Sequence, residues 1–314
     1  MERHQSTKAT IGTGNKGNQM DWFSEFPHMN DESLRQFKLS IDNAFRTFTR
    51  NYGDFIEGLF APLSKFLIWA ERLMTQTPWP IVLVVIVAIA WLASRNLRVV
   101  AGTMVTPLLI GYFDMWLDAM RTISMIFVCT VISIVVGLPI GIAMSRSDRL
   151  QRIVSPVLDV MQTMPSFVYL IPVVMLLGIG RIPGLIAVVI YALPPMIRLT
   201  DLGIRLVDRD VLEAADAFGC SKWQKLRNVE LPLALPTIMA GINQTIMMAL
   251  AMVVIASMIG VQGLGQPVLK AIANQYFTLG IFNGLAIVGI AIIFDRVSQA
   301  YGERLQKHRE IVHG

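Results

Sequence analysis

Residues 213–232 read EAADAFGCSKWQKLRNVELP, a largely polar stretch between two uncharged segments of the chain. Asp208 and Asp210 precede it and suit the start of a helix, because their carboxylates can accept hydrogen bonds from free backbone N–H groups. Residues 211–218 are good helix formers, and Gly219 suits the left-handed conformation in which many helices end. We therefore predict a short helix over 211–218 that ends in a tight turn at Gly219.

A second short helix is predicted directly after that turn. The spacing of Ser221 and Gln224 fits a capping box, in which each side chain accepts a hydrogen bond from the backbone of the other residue. This helix is expected to run to about Val229 and to end at Pro232, with Pro236 opening the next apolar segment. The product is a compact helix–turn–helix that could receive a push from a partner and pass it to the segments at both of its ends.

The composition outside this stretch is that of a membrane protein. Of the 314 residues, 54% are hydrophobic and only 16% are charged, whereas a soluble domain carries about 25% charged residues. A bilayer core requires about 20 helical residues per crossing. We predict an all-α, polytopic membrane protein with about seven transmembrane helices, from uncharged windows at residues 73–94, 99–113, 122–145, 160–180, 182–197, 231–269 and 271–294.

The window at 231–269 is too long for one crossing. The glycine-rich stretch Gly260–Gly265 is expected to break it, because glycine favours turns over helix continuation. We predict a span near 236–259 and a short or re-entrant helix near 266–277.

The N-terminal part differs from the rest. Residues 1–32 are polar and predicted to be disordered, while 33–76 show apolar residues at three- and four-residue steps, the pattern of an amphipathic helix. That helix could lie on a membrane surface or on the body of the protein, and the sequence favours neither. The first two spans then occupy 77–113, the main bundle 114–300 with its polar loop at 200–234, and a tail 301–314.

The distribution of basic residues predicts an orientation. Fifteen Lys and Arg lie in one set of alternate loops, and three, Arg121, Arg181 and Lys270, lie in the other set. Basic loops stay in the cytoplasm, so the polar loop and the C-terminus are predicted inside and the N-terminal tail outside. This bias accounts for the net charge of +5, and no nucleic-acid partner is predicted.

The spans carry no obvious energy source. Ion-driven carriers place carboxylates or histidines at mid-membrane depth, and none lies inside the predicted spans. A phosphate-binding loop of the Gly-x4-Gly-Lys-Ser/Thr type is also missing, as are metal-ligand and catalytic patterns. The chain is therefore expected to be neither an enzyme nor a metal protein and to rely on a partner for energy. A secondary transporter is one alternative, and an integral membrane enzyme or scaffold is another.

The stretch 213–232 resembles the "EAA" loop of the permease subunits of ABC importers. Glu213-Ala-Ala, Gly219 and Val229-Glu-Leu-Pro232 keep the spacing of that motif. The resemblance implies the type I permease fold and a loop that docks on a cytoplasmic ATPase. It assigns the coupling role to Glu213, Ala214, Ala215, Gly219, Leu231 and Pro232. The local alternative is that Gly219 and Pro232 are only turn and helix-end residues and that Glu213 is a solvated helix residue.

Further stretches are similar to the glycine betaine/proline betaine permeases: Met161–Pro172, Ala192–Leu199, Thr237–Thr245 and Val254–Gly265. This likeness implies osmoprotectant import across the bacterial inner membrane; choline, carnitine or an amino acid is the alternative cargo. It further implies a permease homodimer, two ATPase subunits that bind ATP and Mg, and an external substrate-binding protein. No cofactor is expected in this chain. Polar side chains inside the spans could line the path or make interhelical hydrogen bonds: Gln162, Ser166, Tyr169, Asn243 and Gln244.

Overall fold

The computed structural model describes residues 29–313, and those residues form helices joined by short connections, with no strand among them. The helices are α1 Asp31–Gln76, α2 Trp79–Ser94, α3 Leu97–Tyr112, α4 Trp116–Arg146, α5 Asp148–Thr163, α6 Leu170–Leu177, α7 Arg181–Arg205, α8 Arg209–Ala217, α9 Lys222–Lys225, α10 Leu231–Ala256, α11 Gly265–Asn274 and α12 Phe277–His313. The predicted disordered tail lies outside the described residues except for its last four positions.

The uncharged windows lie mainly in helices, and the number of crossings depends on how the bent helices are counted. Four helices are long and apolar enough to span a membrane, and up to six segments qualify if each of two bent helix pairs forms one span. α3 is apolar but shorter than these. The figure of about seven therefore requires α3 to cross as well as both bent pairs.

The predicted span at 160–180 contains a break in the helix. α5 and the helical residues Ser166–Leu177 meet at an angle of 111°. Met164, which precedes Pro165, has an extended backbone with ψ of 131°, because a proline ring disfavours the helical conformation of the residue before it. In contrast, Pro194 and Pro195 lie inside the continuous helix α7.

The N-terminal helix α1 covers the predicted amphipathic segment. The chain divides into two compact units, Met1–Tyr52 and Gly53–Gly314, and the described part of the first unit is helical. Within the second unit, Leu67 and Ala70 are buried in the main hydrophobic core, whereas Phe55 and Leu59 are exposed. The C-terminal turns of α1 therefore lie on the body of the protein, which is one of the two interpretations of the sequence pattern. The earlier turns of α1 in this unit keep an exposed apolar face.

The centre of the second unit is formed by α7 packed between α4 and α10. Small residues allow these helices to approach closely, as in many membrane bundles. A Cβ atom at Gly141 would lie 2.5 Å from Thr200 Cβ, and one at Gly241 would lie 3.1 Å from Leu199 Cβ. The first contact leaves no room for a side chain unless the helices shift and the second is tight, so α7 packs closely against both neighbours.

The glycine-rich stretch after α10 ends that helix, as predicted, and α11 follows it. Gly260 and Gly263 adopt positive φ values of 89° and 142°, which favour glycine. The backbone N–H of Leu264 donates to Thr122 Oγ1 at 2.9 Å. This bond ties the stretch to the first turns of α4.

Candidate functional site: the coupling-loop helices

The turn after α8 is a Schellman motif centred on Gly219. The Gly219 N–H donates to Asp216 O at 2.9 Å and the Cys220 N–H donates to Ala215 O at 3.1 Å, which is the bond pattern of that motif. Gly219 has a φ of 76°, and a Cβ there would meet no atom within 4 Å. The requirement for glycine is therefore conformational and not steric. At the other end of α8, Asp208 accepts from the Asp210 N–H at 3.0 Å, as predicted.

The predicted capping box of α9 is present. Ser221 Oγ accepts from the Gln224 N–H at 3.3 Å and Gln224 Oε1 accepts from the Ser221 N–H at 2.9 Å. Lys225 Nζ also donates to both carboxylate oxygens of Asp216, at 2.6 and 2.7 Å. We call residues 209–225, comprising α8, the turn and α9, the loop pair. The ion pair and the two caps hold it as one rigid unit.

The second helix does not end at Pro232, contrary to the prediction. A π-helical segment, Leu226–Glu230, connects α9 directly to α10, and Pro232 lies in the first turn of α10. Proline cannot donate a backbone hydrogen bond and collides with the preceding turn of a regular helix. The wider π-helical turn immediately before Pro232 accommodates both effects, so the loop pair is joined to the long helix without a break.

The coupling residues assigned by resemblance have different exposures. Glu213 and Ala214 are exposed, Ala215 is buried, and Leu231 and Pro232 are half-buried. Two aromatic side chains that were not assigned a role project from the loop pair, Phe218 with 89% and Trp223 with 68% of their surface exposed. Exposed aromatic residues on a rigid polar element are typical of protein–protein contact sites.

We call residues 205–230, from the end of α7 to the end of the π-helical segment, the coupling loop. Its start lies in a cluster of ion pairs. Arg205, the last residue of α7, donates through Nε to Asp201 at 2.9 Å, through Nη1 to Asp148 at 2.7 Å and through Nη2 to Met144 O at 2.8 Å. Asp201 is only 6% exposed, and Gln151 Nε2 donates to it at 2.9 Å. The buried carboxylate is thus fully paired.

The end of the coupling loop lies in a second ion pair. Glu230, 3% exposed at the end of the π-helical segment, accepts from Arg146, the last residue of α4. We call Met144, Arg146, Asp148, Gln151, Asp201, Arg205 and Glu230 the loop-end network. Sequence reasoning missed these residues, although Glu230 stands inside the motif directly before Leu231. Its partner is 84 residues away, and no local pattern identifies it.

The predicted path residues do not gather at one place. Tyr169 is buried, donates through its hydroxyl to Met161 O, and packs edge-on against Tyr191 with ring centroids 5.7 Å apart. Gln162 is exposed and Ser166 is half-buried, and both flank the break between α5 and α6. These three predicted path residues therefore surround the break between α5 and α6, which we call the bent pair.

The other two predicted path residues, Asn243 and Gln244, lie on α10. Asn243 donates to Asp295 Oδ1 at 2.9 Å and accepts from Ser298 Oγ at 2.6 Å, while its neighbour Gln244 is exposed. Asn243 thus makes interhelical hydrogen bonds to α12. Asp295 directly follows the uncharged residues 277–294 on the same helix, which is one of the candidate spans. Helix α12 continues past the uncharged window, and the Asp295 carboxylate accepts hydrogen bonds from the side-chain amides of Asn243 and Gln299.

A second ionic cluster lies at the opposite ends of α4 and α7. Glu71 of α1 accepts from Arg181 Nη1 at 2.8 Å and lies 3.5 Å from Arg121 Nε. Arg181 Nη2 also donates to Gln262 at 2.8 Å, and Arg121 pairs with Asp118 at 3.3 Å. We call Glu71, Asp118, Arg121, Arg181 and Gln262 the opposite-end network. It joins α1, α4 and α7 to the glycine-rich stretch.

An apolar cavity in the helix bundle does not suit a polar cargo. A space of about 320 Å³ lies among α2, α3, α4 and α12 and is lined by apolar side chains and Thr103. The Thr103 hydroxyl donates to Val99 O within its own helix. A zwitterion placed there would lose its hydration without gaining polar contacts.

Comparison with known families assigns the chain. Residues 133–307 match the family described as the binding-protein-dependent transport system inner membrane component. The chain belongs to this family. The match includes the loop pair and the whole loop-end network, and the chain is the permease of a binding-protein-dependent ABC importer.

Two individual relatives also match most of the chain. The chain is 47% identical over 246 residues, 78% of its own length and 69% of the relative's, to the glycine betaine/proline betaine transport system permease protein ProW of Escherichia coli (strain K12). It is 42% identical over 259 residues, 82% of its length and 92% of the relative's, to the glycine betaine transport system permease protein OpuAB of Bacillus subtilis (strain 168).

Solved structures share the fold. A chain of the MetNI methionine ABC transporter superimposes with a TM-score of 0.54 and 21% identity, covering 59% of this chain and 93% of that one. This likeness supports the type I importer permease architecture predicted from the resemblance.

Proposed function

We propose that this chain imports glycine betaine and proline betaine, working as a homodimer with two ATPase subunits on the cytoplasmic side and a substrate-binding protein outside. ATP-driven closure of the ATPases moves the loop pairs and opens the pathway outward. The binding protein then releases its ligand into the pathway, and the return of the loops opens it inward. This cycle is alternating access.

The observation that supports the coupling role is the rigid, exposed loop pair. Phe218 and Trp223 offer apolar anchors of the kind that dominate protein contacts, while Glu213 and Ala214 lie exposed on α8. The small side chain of Ala214 lets a partner surface approach the helix closely. Glu213, Ala214, Ala215 and Gly219, with Leu231 and Pro232 at the junction to α10, are the proposed coupling residues.

The proposed orientation places the loop pair and the C-terminus in the cytoplasm and the N-terminal tail outside, and it rests on the fifteen-to-three asymmetry of basic residues. A reporter that is active only outside the membrane should be silent when fused after residue 310. It should be active when fused at Asp114 or Lys270. The reverse pattern would overturn the orientation.

The proposed cargo is supported by the named relatives, which are glycine betaine and proline betaine permeases at 47% identity and a glycine betaine permease at 42%. Gln162, Ser166 and Tyr169 of the bent pair are uncharged, so we expect any polar contacts that they make with the cargo to be weak. Tight recognition belongs in the binding protein, where aromatic side chains can hold a methylated ammonium by cation–π contacts.

The test uses cells that lack every other betaine uptake system and carry the complete importer. External glycine betaine should restore growth in high salt, and labelled glycine betaine should accumulate. A matched strain with Gly219→Asp, in which coupling is disrupted, should show neither. Accumulation of choline, carnitine or an amino acid without betaine would overturn the cargo and leave the importer assignment standing.

A further inference from the structure

Both ends of the coupling loop are attached to the same corner of the molecule. That corner comprises residues 144–148, where α4 ends at Arg146 and α5 begins at Asp148, with Ser147 accepting from the Leu150 N–H to cap α5. Arg205 at the start of the loop binds the corner at Met144 O and Asp148, at 2.8 and 2.7 Å. Glu230 at the end of the loop binds it at Arg146.

The two attachments differ in burial. The Glu230 side chain is 5% exposed and the Arg146 side chain 38%, so the carboxylate is buried while the guanidinium remains partly accessible to solvent. Asp148 is mostly exposed, but Arg205 reaches it from a position fixed by the buried Asp201. Because a carboxylate buried without its partner is costly, the loop cannot move far from the corner without breaking these contacts.

The corner leads directly into the broken helix. α5 runs from it to the break at Met164 and Pro165, beyond which the chain turns by 111° into the helical residues that include Tyr169. A further ion pair, Arg198 with Asp159, attaches the middle of α5 to α7. Because α5 begins at the corner, a displacement of the corner would move α5 relative to α6.

We infer that Arg146 and Arg205 are positioning residues which transmit movement of the coupling loop, through the corner at residues 144–148, to the bent pair formed by α5 and α6. This inference rests on the proposed function, since it requires an ATPase that moves the loop. In this arrangement the bent pair responds to the partner, and the break at Pro165 is the hinge. The loop pair itself needs no direct contact with the transport path.

The alternative is that the ion pairs only hold the fold, and measurement of uptake and ATP hydrolysis on the same complexes separates the two. The variants are Glu230→Gln, Arg146→Gln and the charge swap Arg146→Glu with Glu230→Arg, each assembled with the ATPase and binding protein. Asp118→Asn, which removes an ion pair from the other end of the same helix α4, is the matched control. Asp148→Asn removes one of three Arg205 contacts and serves as a graded variant.

We expect the single variants to assemble and hydrolyse ATP close to the wild-type rate, while betaine uptake per ATP falls by about fivefold or more, within the usual range of coupling energies between sites. The swap should recover uptake, Asp148→Asn should show a smaller loss, and Asp118→Asn should show none.

A fluorophore reports the movement itself. Ile153 is exposed on α5, so an environment-sensitive label on Ile153→Cys, with Cys129 and Cys220 replaced, should change its emission when ATP is added to the wild-type complex and should not in Glu230→Gln. Equal loss of uptake and hydrolysis, failure to assemble, or unaltered uptake in the single variants would each overturn the inference. A wild-type complex without ATP-dependent uptake would instead overturn the proposed function.

Discussion

The two ends of the helix bundle carry similar ion-pair networks but expose different surfaces. At the opposite end, the Glu71 side chain, 16% exposed, is shared by Arg121 and Arg181, and Arg181 also binds Gln262 of the glycine-rich stretch. At the loop end, Arg146 pairs with the buried Glu230 and Arg205 pairs with the buried Asp201. Beyond that network, however, the loop pair projects Phe218 and Trp223 into solvent.

The difference indicates two roles for the same chemistry. The opposite-end network connects elements of one chain to one another, so its main effect is to hold α1 and the glycine-rich stretch against the bundle. The loop-end network connects the bundle to an element whose outer face is unoccupied in a single chain. The ion pairs alone do not show whether a network only holds the fold or also transmits movement from a partner. The exposed loop pair, which is present only at the loop end, is the feature that separates the two roles.

The largest effect is expected at Gly219. Gly219→Asp places a non-glycine residue at positive φ, which costs on the order of 1 kcal/mol, and adds a charge to the face proposed to meet the ATPase. We expect normal membrane insertion with loss of betaine uptake and of ATP hydrolysis in the assembled complex. Gly219→Asn is the matched control, because asparagine and aspartate adopt the left-handed conformation about equally well and only aspartate adds a charge. Full activity of Gly219→Asp would show that the turn is only local structure.

Contact with the ATPase should also differ between the two ends. In a chain with Cys129 and Cys220 replaced, Ala214→Cys on α8 should crosslink to cysteines in the ATPase groove. Gln262→Cys, in the opposite-end network, should not crosslink under the same conditions. Crosslinking at both positions, or only at position 262, would remove the distinction between the ends.

Much of the loop pair could be predicted from sequence because its determinants are local. The cap at Asp208, the turn at Gly219 and the capping box of Ser221 and Gln224 depend on side chains within a few residues of the backbone groups they bind. The resemblance to the EAA loop added the coupling role, and the family match confirms the class of protein.

The parts that sequence reasoning missed depend on the path of the chain in space. Continuation of the helix through Pro232 requires the π-helical segment before it, which has no sequence pattern of its own. The hydrogen bond between Asn243 and Asp295 joins residues 52 positions apart, so no local pattern identifies it. At Pro165 the helix breaks and the chain changes direction by 111°, an angle that no local sequence pattern specifies.

A smaller effect is expected at the opposite end. Glu71→Gln leaves Arg181 with Gln262 and Arg121 with Asp118, so we expect the complex to lose about 1 to 3 kcal/mol of stability, the usual cost of removing one partner of a buried polar contact. The ratio of betaine uptake to ATP hydrolysis should stay unchanged, in contrast to Glu230→Gln. Thermal unfolding and coupled assays on both variants provide the check; uncoupling by Glu71→Gln would show that both ends transmit.

The smallest effect is expected from two adjacent polar residues of α10. Asn243→Leu breaks the contact with Asp295 and Ser298 and should lower thermal stability with little change in transport rate once the complex is assembled. Gln244→Leu changes an exposed side chain, so stability should be preserved and uptake should slow modestly if Gln244 lines the path. Neither variant should alter the affinity of the binding protein for betaine. If the two variants behave alike, the division between packing and path on this helix is wrong.

The central claim, that the loop end is driven by ATP hydrolysis, is tested most directly by betaine uptake into sealed vesicles that contain the complete importer. With the membrane potential and ion gradients collapsed, uptake should proceed when ATP is enclosed and the binding protein is added outside, and it should stop when either is left out. Uptake that follows an ion gradient without ATP would contradict the account and identify the chain as a secondary transporter.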